Sequence, residues 1–128
     1  MIVKQVSVFV ENTVGRLADL TKILTDNNID LKASTIAETV DFGILRCIVE
    51  EPEKTVKILV ENGFSASISE VTGVSLEDKP GGLHKVLAVL AEAGIAVNYI
   101  YSTIKSAEGK AIIMMKTSDA AKAEEVLK

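Results

Sequence analysis

The apolar and polar positions near the start of the chain follow two different periods. Apolar residues at every second position from Val6 to Val10 predict a strand with one buried face. After Gly15, the apolar residues of segment 17–24 recur three or four apart, which is the spacing of an amphipathic helix. The sequence DNN at 26–28 ends this helix, because Asn tolerates the left-handed conformation that follows many helices. The pattern therefore predicts a strand followed by a helix.

The same two periods predict the remaining elements. The first half continues with strands at 29–38 and 44–50 around a turn within 39–43, a short helix from Pro52 to Gly63, and a strand at 64–71. The second half begins with a strand at 73–78 and a helix that has Pro80 in its first turn and ends at Gly94. It continues with strands at 95–105 and 110–116 around a turn at 107–109, and with a helix capped by Ser118 or Asp119.

The two halves repeat one another. The phrase ENTVGRLADL at 11–20 returns as EDKPGGLHKV at 77–86, with Gly15 and Gly81 separated by 66 positions. From each of these glycines it is 14 residues to an isoleucine and 28 to a further glycine, Gly43 or Gly109. The sequence therefore predicts an α+β fold of two tandem ferredoxin-like βαββαβ units, with antiparallel sheets and helices on one face. We place the units at 1–70 and 71–128.

The second unit departs from the pattern because the sequence stops inside its second helix, so the unit lacks its last strand. The segment SASISEVTGVSLED at 65–78 has only Gly73 as a turn signal, which predicts one long strand that closes the first unit and opens the second. An unpaired sheet edge is rarely left bare. We therefore expect a homodimer.

Composition narrows the function classes. The net charge is −4 and no basic cluster is present, which argues against nucleic acid, and no apolar run approaches the ~20 residues of a membrane span. The start of the chain fits a strand better than a signal peptide, so we expect a cytoplasmic protein. Cys47, the one cysteine, lies in an apolar strand pattern and is expected to be buried and inert. No catalytic triad, Cys-His pair or metal-ligand cluster is apparent, so we expect neither an enzyme nor a cofactor or metal.

The motifs NTVGRL and DKPGGL resemble the ligand loop of the ACT domain family, small regulatory modules that bind amino acids. The segments NNIDL and AGIAV resemble the family's passage from helix to second strand, and STIAETVDFGILR is similar to stand-alone tandem ACT proteins. The resemblance covers essentially the whole chain. It implies a non-catalytic regulatory protein with an amino acid bound between two modules.

The chemistry of the two glycine loops, residues 12–17 and 78–83, fits that implication. A helix start leaves backbone N–H groups unpaired and suits a carboxylate, and glycine allows a ligand close to the main chain. In the family the loop of one module faces the second strand of another, where Ala96 replaces a common Asn and Asn98 is the nearest substitute. The ligand-binding candidates are Asn12, Val14, Gly15, Arg16, Leu17, Asp30, Asp78, Pro80, Gly81, Gly82, Leu83 and Asn98.

Several alternatives stay open. Asn12 and Asp78 fit helix caps as well as ligand contacts, Gly82 fits a packing role, and Arg16 fits a solvated surface position. A regulatory subunit or interaction module of an amino-acid biosynthetic enzyme, of the acetolactate synthase small-subunit type, would need no ligand of its own. An enzyme on the same scaffold, such as an acyl-phosphate hydrolase, would need an Arg-bearing anion loop that neither repeat has.

Overall fold

The computed structural model describes residues 1–104 and 108–128. Its strands are β1 (Ile2–Glu11), β2 (Ala33–Glu38), β3 (Phe42–Ile48), β4 (Ser65–Glu77), β5 (Val97–Ser102) and β6 (Lys110–Thr117). Its helices are α1 (Arg16–Asp26), α2 (Pro52–Glu61), α3 (Gly82–Glu92) and α4 (Ala120–Val126). This order confirms the predicted α+β repeat. The predicted strand end at 105 and the start of the turn at 107–109 lie outside the described residues.

The helix boundaries follow the local signals in the sequence. Helices α1 and α3 begin and end 66 positions apart, as the repeat requires. Helix α2 begins at Pro52, where the missing N–H is harmless. The Asp119 side chain caps α4 by accepting a hydrogen bond from the Lys122 N–H at 3.0 Å. Asn28 takes the left-handed conformation, with φ of 57°, after the end of α1.

One compact unit, which we call the N-terminal unit, is Lys4–Ser69. Its strands take the order β2-β3-β1-β4, and β3 runs antiparallel to both β1 and β2. The alternate valines of β1 face inward, so the predicted buried face is confirmed. Its buried core comprises Val6, Val8, Val10, Leu20, Leu24, Leu45, Cys47, Val49, Leu59 and Phe64. Burial raises the pKa of the Cys47 thiol to about 12.

The other compact unit, which we call the C-terminal unit, consists of Met1–Val3 and Glu70–Lys128. Its own strands take the order β5-β6-β4, and the start of β1 lies on the far side of β4. The Gly73 N–H donates to the Met1 carbonyl at 2.6 Å, and the Met1 nitrogen donates to the Gly73 carbonyl at 2.9 Å. Two residues exchange both bonds in this way in antiparallel sheets. The first residues of β1 thus supply a fourth strand to the sheet of the C-terminal unit, beside β4.

Strand β4 is 13 residues long and contributes to both compact units, as the sequence predicts. Because Met1–Val3 pairs with β4 in the C-terminal unit, the edge that motivated a homodimer is already covered. The homodimer therefore stays a prediction, but the unpaired sheet edge no longer supports it. None of the helices in the described part of the chain is long and apolar enough to cross a bilayer.

One predicted correspondence between the repeats is wrong. Val10 pairs with Gly43, whereas Leu76, which follows Val10 by 66 positions, pairs with Ala111. Ala111 therefore takes the place of Gly43, while Gly109 lies in the preceding turn with φ of 74°. The connection between β5 and β6 is two residues longer than that between β2 and β3, because Ala111 follows Gly43 by 68 positions.

Several element boundaries also differ from the prediction; β3 begins at Phe42 instead of 44, and β5 begins at Val97 instead of 95. Two further differences have a physical reason. Strand β2 begins at Ala33, so the apolar residues of segment 29–32 precede the sheet pairing instead of extending it. Pro80 lies two residues before α3, because Gly81 is the residue that caps the helix. In both places a non-local constraint, strand pairing or loop conformation, outweighs the local residue preference.

Candidate ligand site at the first glycine loop

Both glycine loops contain a glycine in the left-handed conformation, and this glycine is the N-cap residue of the following helix. Gly15 has φ 86° and ψ −11°, and Gly81 has φ 89° and ψ −13°. A residue with a Cβ would be strained there by about 1–2 kcal/mol. Neither helix start receives a side-chain cap hydrogen bond, so the interpretation of Asn12 and Asp78 as caps is wrong. The Arg16 N–H donates to the Thr13 carbonyl at 3.3 Å, and the Gly82 N–H donates to the Lys79 carbonyl at 3.0 Å. The N–H groups that follow in the first turn of each helix are the ones available to a ligand or to water.

The first glycine loop borders a cleft of about 330 Å³ within the N-terminal unit. The lining residues are Val10, Glu11, Asn12, Thr13, Leu17, Ile36, Glu38 and Gly43. The valine, leucine and isoleucine form an apolar wall, and the two carboxylates, the amide and the hydroxyl supply polar atoms. The volume lies at the small end of the range for ligand pockets.

The loop is held in place by the turn between β2 and β3. The Asn12 N–H donates to the Asp41 carbonyl at 3.0 Å, and the Asn12 side-chain amide donates to the Val40 carbonyl at 3.5 Å. Across the same turn, the Thr39 N–H donates to the Phe42 carbonyl at 2.7 Å. These bonds connect the end of β1 to the β2–β3 hairpin and so position both walls of the cleft.

Arg16 supports the loop. It is not a solvated surface side chain, and its guanidinium is not free to bind the carboxylate of a ligand. Its Nε lies 2.5 Å from Glu11 Oε2, and its guanidinium carbon lies 4.0 Å from the centre of the Phe64 ring. A second carboxylate, that of Asp19, lies 3.9 Å from its Nη1. The hydrogen bond from Arg16 lowers the pKa of Glu11 below its usual 4.5, and the Glu11 backbone N–H lowers it further. Glu11 is therefore ionised and already paired at neutral pH.

Asp30 lies apart from the first glycine loop within the same unit. It lines a second cleft of about 260 Å³ beside the end of α1 and the start of α2, and this cleft shares no lining residue with the first. Lys32 pairs with Glu50 there, and that contact lowers the pKa of Glu50. Within the N-terminal unit, Asn12 and Asp30 therefore do not act on one ligand.

The second glycine loop is packed more tightly than the first. Gly82 is buried, and a Cβ built on it would lie 2.1 Å from the Glu77 carbonyl oxygen, which confirms its packing role. The Asp78 N–H donates to the Gly109 carbonyl at 3.0 Å. Leu83 packs against the core of the C-terminal unit, and Pro80 is exposed.

The remaining candidates differ in their exposure and in their position relative to the first cleft. Val14 is fully exposed, and Leu17 lines the first cleft while remaining 42% exposed. Asn98 is exposed on β5 at an irregularity in the strand register between Val97 and Tyr99. Ala96 exchanges hydrogen bonds with Ser118, donating to its Oγ at 3.0 Å and accepting from its N–H at 2.9 Å.

The ligand-binding residues predicted from the sequence do not include Ile36, Glu38 and Gly43, which line the cleft. All three belong to the β2–β3 hairpin, where Glu38 pairs with Gly43. The alternation of Ile36 with Glu38 two residues on signals that they share a strand face, but only the strand register places that face beside Leu17. Among residues 1–104 and 108–128, no group of three or more His, Cys, Asp and Glu side chains is arranged to hold a metal ion.

Comparisons with known proteins agree with this fold. The family model described as an ACT domain pair matches residues 1–128. Protein BT0572 from Bacteroides thetaiotaomicron is 42% identical, with a TM-score of 0.92 over 99% of this chain and 87% of its own. The regulatory subunit of aspartate kinase from Thermus thermophilus is 16% identical, with a TM-score of 0.71 over 97% of this chain and 87% of its own.

The corresponding subunit from Thermus flavus is 15% identical, with a TM-score of 0.66 over 97% of this chain and 87% of its own. At such low identity, these two subunits show a shared fold and nothing more. No curated protein shows significant sequence similarity to the chain. The family match spans the whole sequence, and Gly15 and Gly81 in the two glycine loops share one left-handed conformation. The chain belongs to the family of ACT domain pairs.

Proposed function

We propose that the chain is a non-catalytic regulatory protein that binds an amino acid at the first glycine loop. The observation that carries the proposal is the cleft between that loop and the β2–β3 hairpin, which combines a helix start with an apolar wall and polar side-chain oxygen atoms. Membership in a family of regulatory modules supports the same role. The placement of the ligand between two modules stays a prediction of the family resemblance.

The groups around the cleft match the two ends of an amino acid. The α-carboxylate would accept hydrogen bonds from the N–H groups that follow Arg16 in the first turn of α1, where the helix dipole favours an anion. The α-ammonium would donate to side-chain oxygens that line the cleft, among them that of Asn12. The corresponding role of Asp78, Gly81 and Leu83 in the second loop, and that of Asp30 and Asn98, stays a prediction.

The partner that would respond to the ligand is an enzyme of amino-acid metabolism. The support is that two structures with this fold are regulatory subunits of aspartate kinase. That support concerns the kind of arrangement, a separate regulatory chain beside a catalytic one. It does not extend to the particular enzyme or to the particular amino acid.

A specific observation favours a second candidate, an interaction module without a ligand. Phe9 and Phe42 are 50% and 41% exposed and contact one another edge to face, with ring centres 5.6 Å apart. Exposed paired aromatic rings are common in protein interfaces. A partner enzyme or a second copy of the chain would cover them.

Calorimetry with each of the twenty amino acids tests the proposal against this second candidate. The proposal expects at least one amino acid to bind, and Asn12→Ala to weaken it about 10- to 100-fold, because a charge-assisted hydrogen bond contributes about 1.5–3 kcal/mol. The melting temperature of the variant is the control, since Asn12 also donates to the β2–β3 turn. Binding of none of the twenty would leave the interaction module as the better account.

A further inference from the structure

The two repeats build different walls at the place of the cleft. In the N-terminal unit Val10 pairs with Gly43, and in the C-terminal unit the corresponding Leu76 pairs with Ala111. On the next strand of each sheet, Ile36 corresponds to Ser102. Ile36 pairs with Leu45, two residues after Gly43, and Ser102 pairs with Ile113, two residues after Ala111. Ile104 follows Ser102 by two residues, as Glu38 follows Ile36. The second repeat therefore has neither a glycine in the place of Gly43 nor a carboxylate in the place of Glu38.

Glu38 is the carboxylate in the cleft that is left for a ligand. It alternates with Ile36 on β2, so both side chains lie on the face that lines the cleft. Among the residues that the structure describes, no cation lies within ion-pair distance of Glu38, whereas the other carboxylate, Glu11, is paired with Arg16. No Lys or Arg is among the described residues that line the cleft. An ammonium group is the complement of such a site, and an additional carboxylate would be repelled.

Gly43 sets the depth of the cleft. A Cβ built on it would lie 3.2 Å from Ile36 Cγ1 and 3.3 Å from the Ala37 carbonyl oxygen. Any side chain would therefore press on the apolar wall and reduce the space beside Leu17. In the second repeat the methyl group of Ala111 takes this position, and Leu76 replaces the smaller Val10.

We propose that the N-terminal unit carries the ligand cleft and that each chain binds one ligand, which has an ammonium group and a short aliphatic side chain. Glu38 binds the ammonium, and Gly43 leaves room for the side chain against Val10, Leu17 and Ile36. This inference rests on the proposed function and adds to it the class of the ligand, two specificity-determining residues and the stoichiometry.

The test is isothermal calorimetry of the full chain with L-valine, 3-methylbutanoate, L-aspartate and L-glutamate. The ligand 3-methylbutanoate keeps the aliphatic part and the carboxylate of valine and lacks the ammonium. We expect one L-valine per chain, with binding of 3-methylbutanoate more than tenfold weaker, because the loss of the ammonium removes its charge-assisted hydrogen bonds to both Glu38 and Asn12. Neither of the acidic amino acids should bind as well as L-valine.

Two variants assign the roles of the residues. Glu38→Gln should weaken L-valine about 5- to 20-fold and leave 3-methylbutanoate unchanged, so that the preference for the ammonium decreases by the same factor. Gly43→Ala should weaken L-valine more than L-alanine, because it shortens the cleft. The matched controls are Glu70→Gln, an exposed strand carboxylate outside the cleft, and Ala111→Gly, the corresponding position of the second repeat. Both controls should bind L-valine as the wild type does.

The outcomes separate this inference from the proposed function. A stoichiometry of two, an unchanged valine preference in Glu38→Gln, or acidic amino acids that bind as tightly as L-valine would overturn the inference and leave the proposed function standing. Binding of none of the twenty amino acids would overturn both. Glu38 is exposed, so Glu38→Gln should keep the wild-type melting temperature and remains decisive if Gly43→Ala misfolds.

Discussion

At the scale of single residues, two threonines of the C-terminal unit are buried without hydrogen bonds. Thr72 is 0% exposed and Thr117 is 6% exposed, and neither hydroxyl oxygen has a partner within the described residues. A buried hydroxyl without a partner costs about 1–3 kcal/mol. The first repeat has Val6 at the position of Thr72, where it is equally buried and carries no polar atom.

We therefore expect Thr72→Val to stabilise the protein by about 1 kcal/mol, because valine keeps the shape and removes the unsatisfied hydroxyl. Urea unfolding measures the change. The control is Thr55→Val, since Thr55 is 1% exposed but donates its hydroxyl hydrogen to the Glu51 carbonyl at 2.9 Å. Equal stabilisation by both substitutions would show that the missing hydrogen bond is not the cause.

The left-handed glycines give a second prediction at this scale. A Cβ built on Gly15 or Gly81 would contact nothing within 4 Å, so the cost of a side chain is conformational and not steric crowding. Gly15→Ala and Gly81→Ala should each destabilise the fold by about 1–2 kcal/mol. Asn at either position should cost less, because it visits the left-handed region more readily. Thermal unfolding of the four variants ranks them, and an Asn variant as unstable as its Ala counterpart would contradict the explanation.

At the scale of elements, ion pairs connect loops and strands to the starts of helices. Arg16 at the start of α1 pairs with Glu11 at the end of β1, and Lys4 of β1 pairs with Glu53 in the first turn of α2. These contacts lower the pKa of both carboxylates below 4.5 in the folded state. The unfolded state then binds more protons than the native state between the two pKa values, so the stabilisation is complete above the unfolded pKa and is lost as the pH falls.

We expect the free energy of unfolding to decline as the pH falls below about 4.5, the ordinary value for Glu. The variant Glu11→Gln should flatten part of this decline, because it removes one carboxylate whose pKa is lowered on folding. Urea unfolding between pH 6 and pH 3, about the titration range of carboxylates, measures the slope. The control is Glu125→Gln, an exposed carboxylate without an ion pair in the described part of the chain. A slope unchanged by Glu11→Gln would show that the Arg16 pair does not persist in solution.

At the scale of the whole molecule, β1 and β4 each supply residues to both compact units. The first three residues of the chain complete the sheet of the C-terminal unit, and the exchange of hydrogen bonds between Met1 and Gly73 carries that pairing. Gly73 has little room, because a Cβ built on it would lie 3.1 Å from Val3 Cγ2. The absence of a side chain at this position therefore permits the pairing.

We expect Gly73→Val to displace Met1–Val3 and to expose the edge of β4. Hydrogen exchange monitored by mass spectrometry should be faster in Met1–Val3 and in the Glu70–Glu77 part of β4, while β3 in the N-terminal unit keeps its protection. The control is Ser75→Val, an exposed position on the same strand and face. Faster exchange in both units to the same degree would contradict a local role for this pairing.

Much of this protein follows from its sequence because the relevant forces are local. The repeat, the helices after Gly15 and Gly81 and the unbroken β4 all follow from side-chain periods and from the Cβ that glycine lacks. The family resemblance rests on the same local motifs, and Asn12 and Leu17 were assigned to the candidate site from them. Each helix, strand and motif of this kind depends mainly on residues that are close to one another in the sequence.

The tertiary structure decided what depends on strand register. Equal spacing in the sequence suggested that Gly43 and Gly109 correspond, yet a connection two residues longer makes Ala111 the counterpart of Gly43. Register also brings Glu38 into the cleft with Asn12 and leaves Asp30 in another. The first residues of β1 pair in a sheet whose other strands begin at residue 65 or later. Pairing between distant segments is chosen by the total burial and hydrogen bonding of the sheet, which no local pattern of residues encodes.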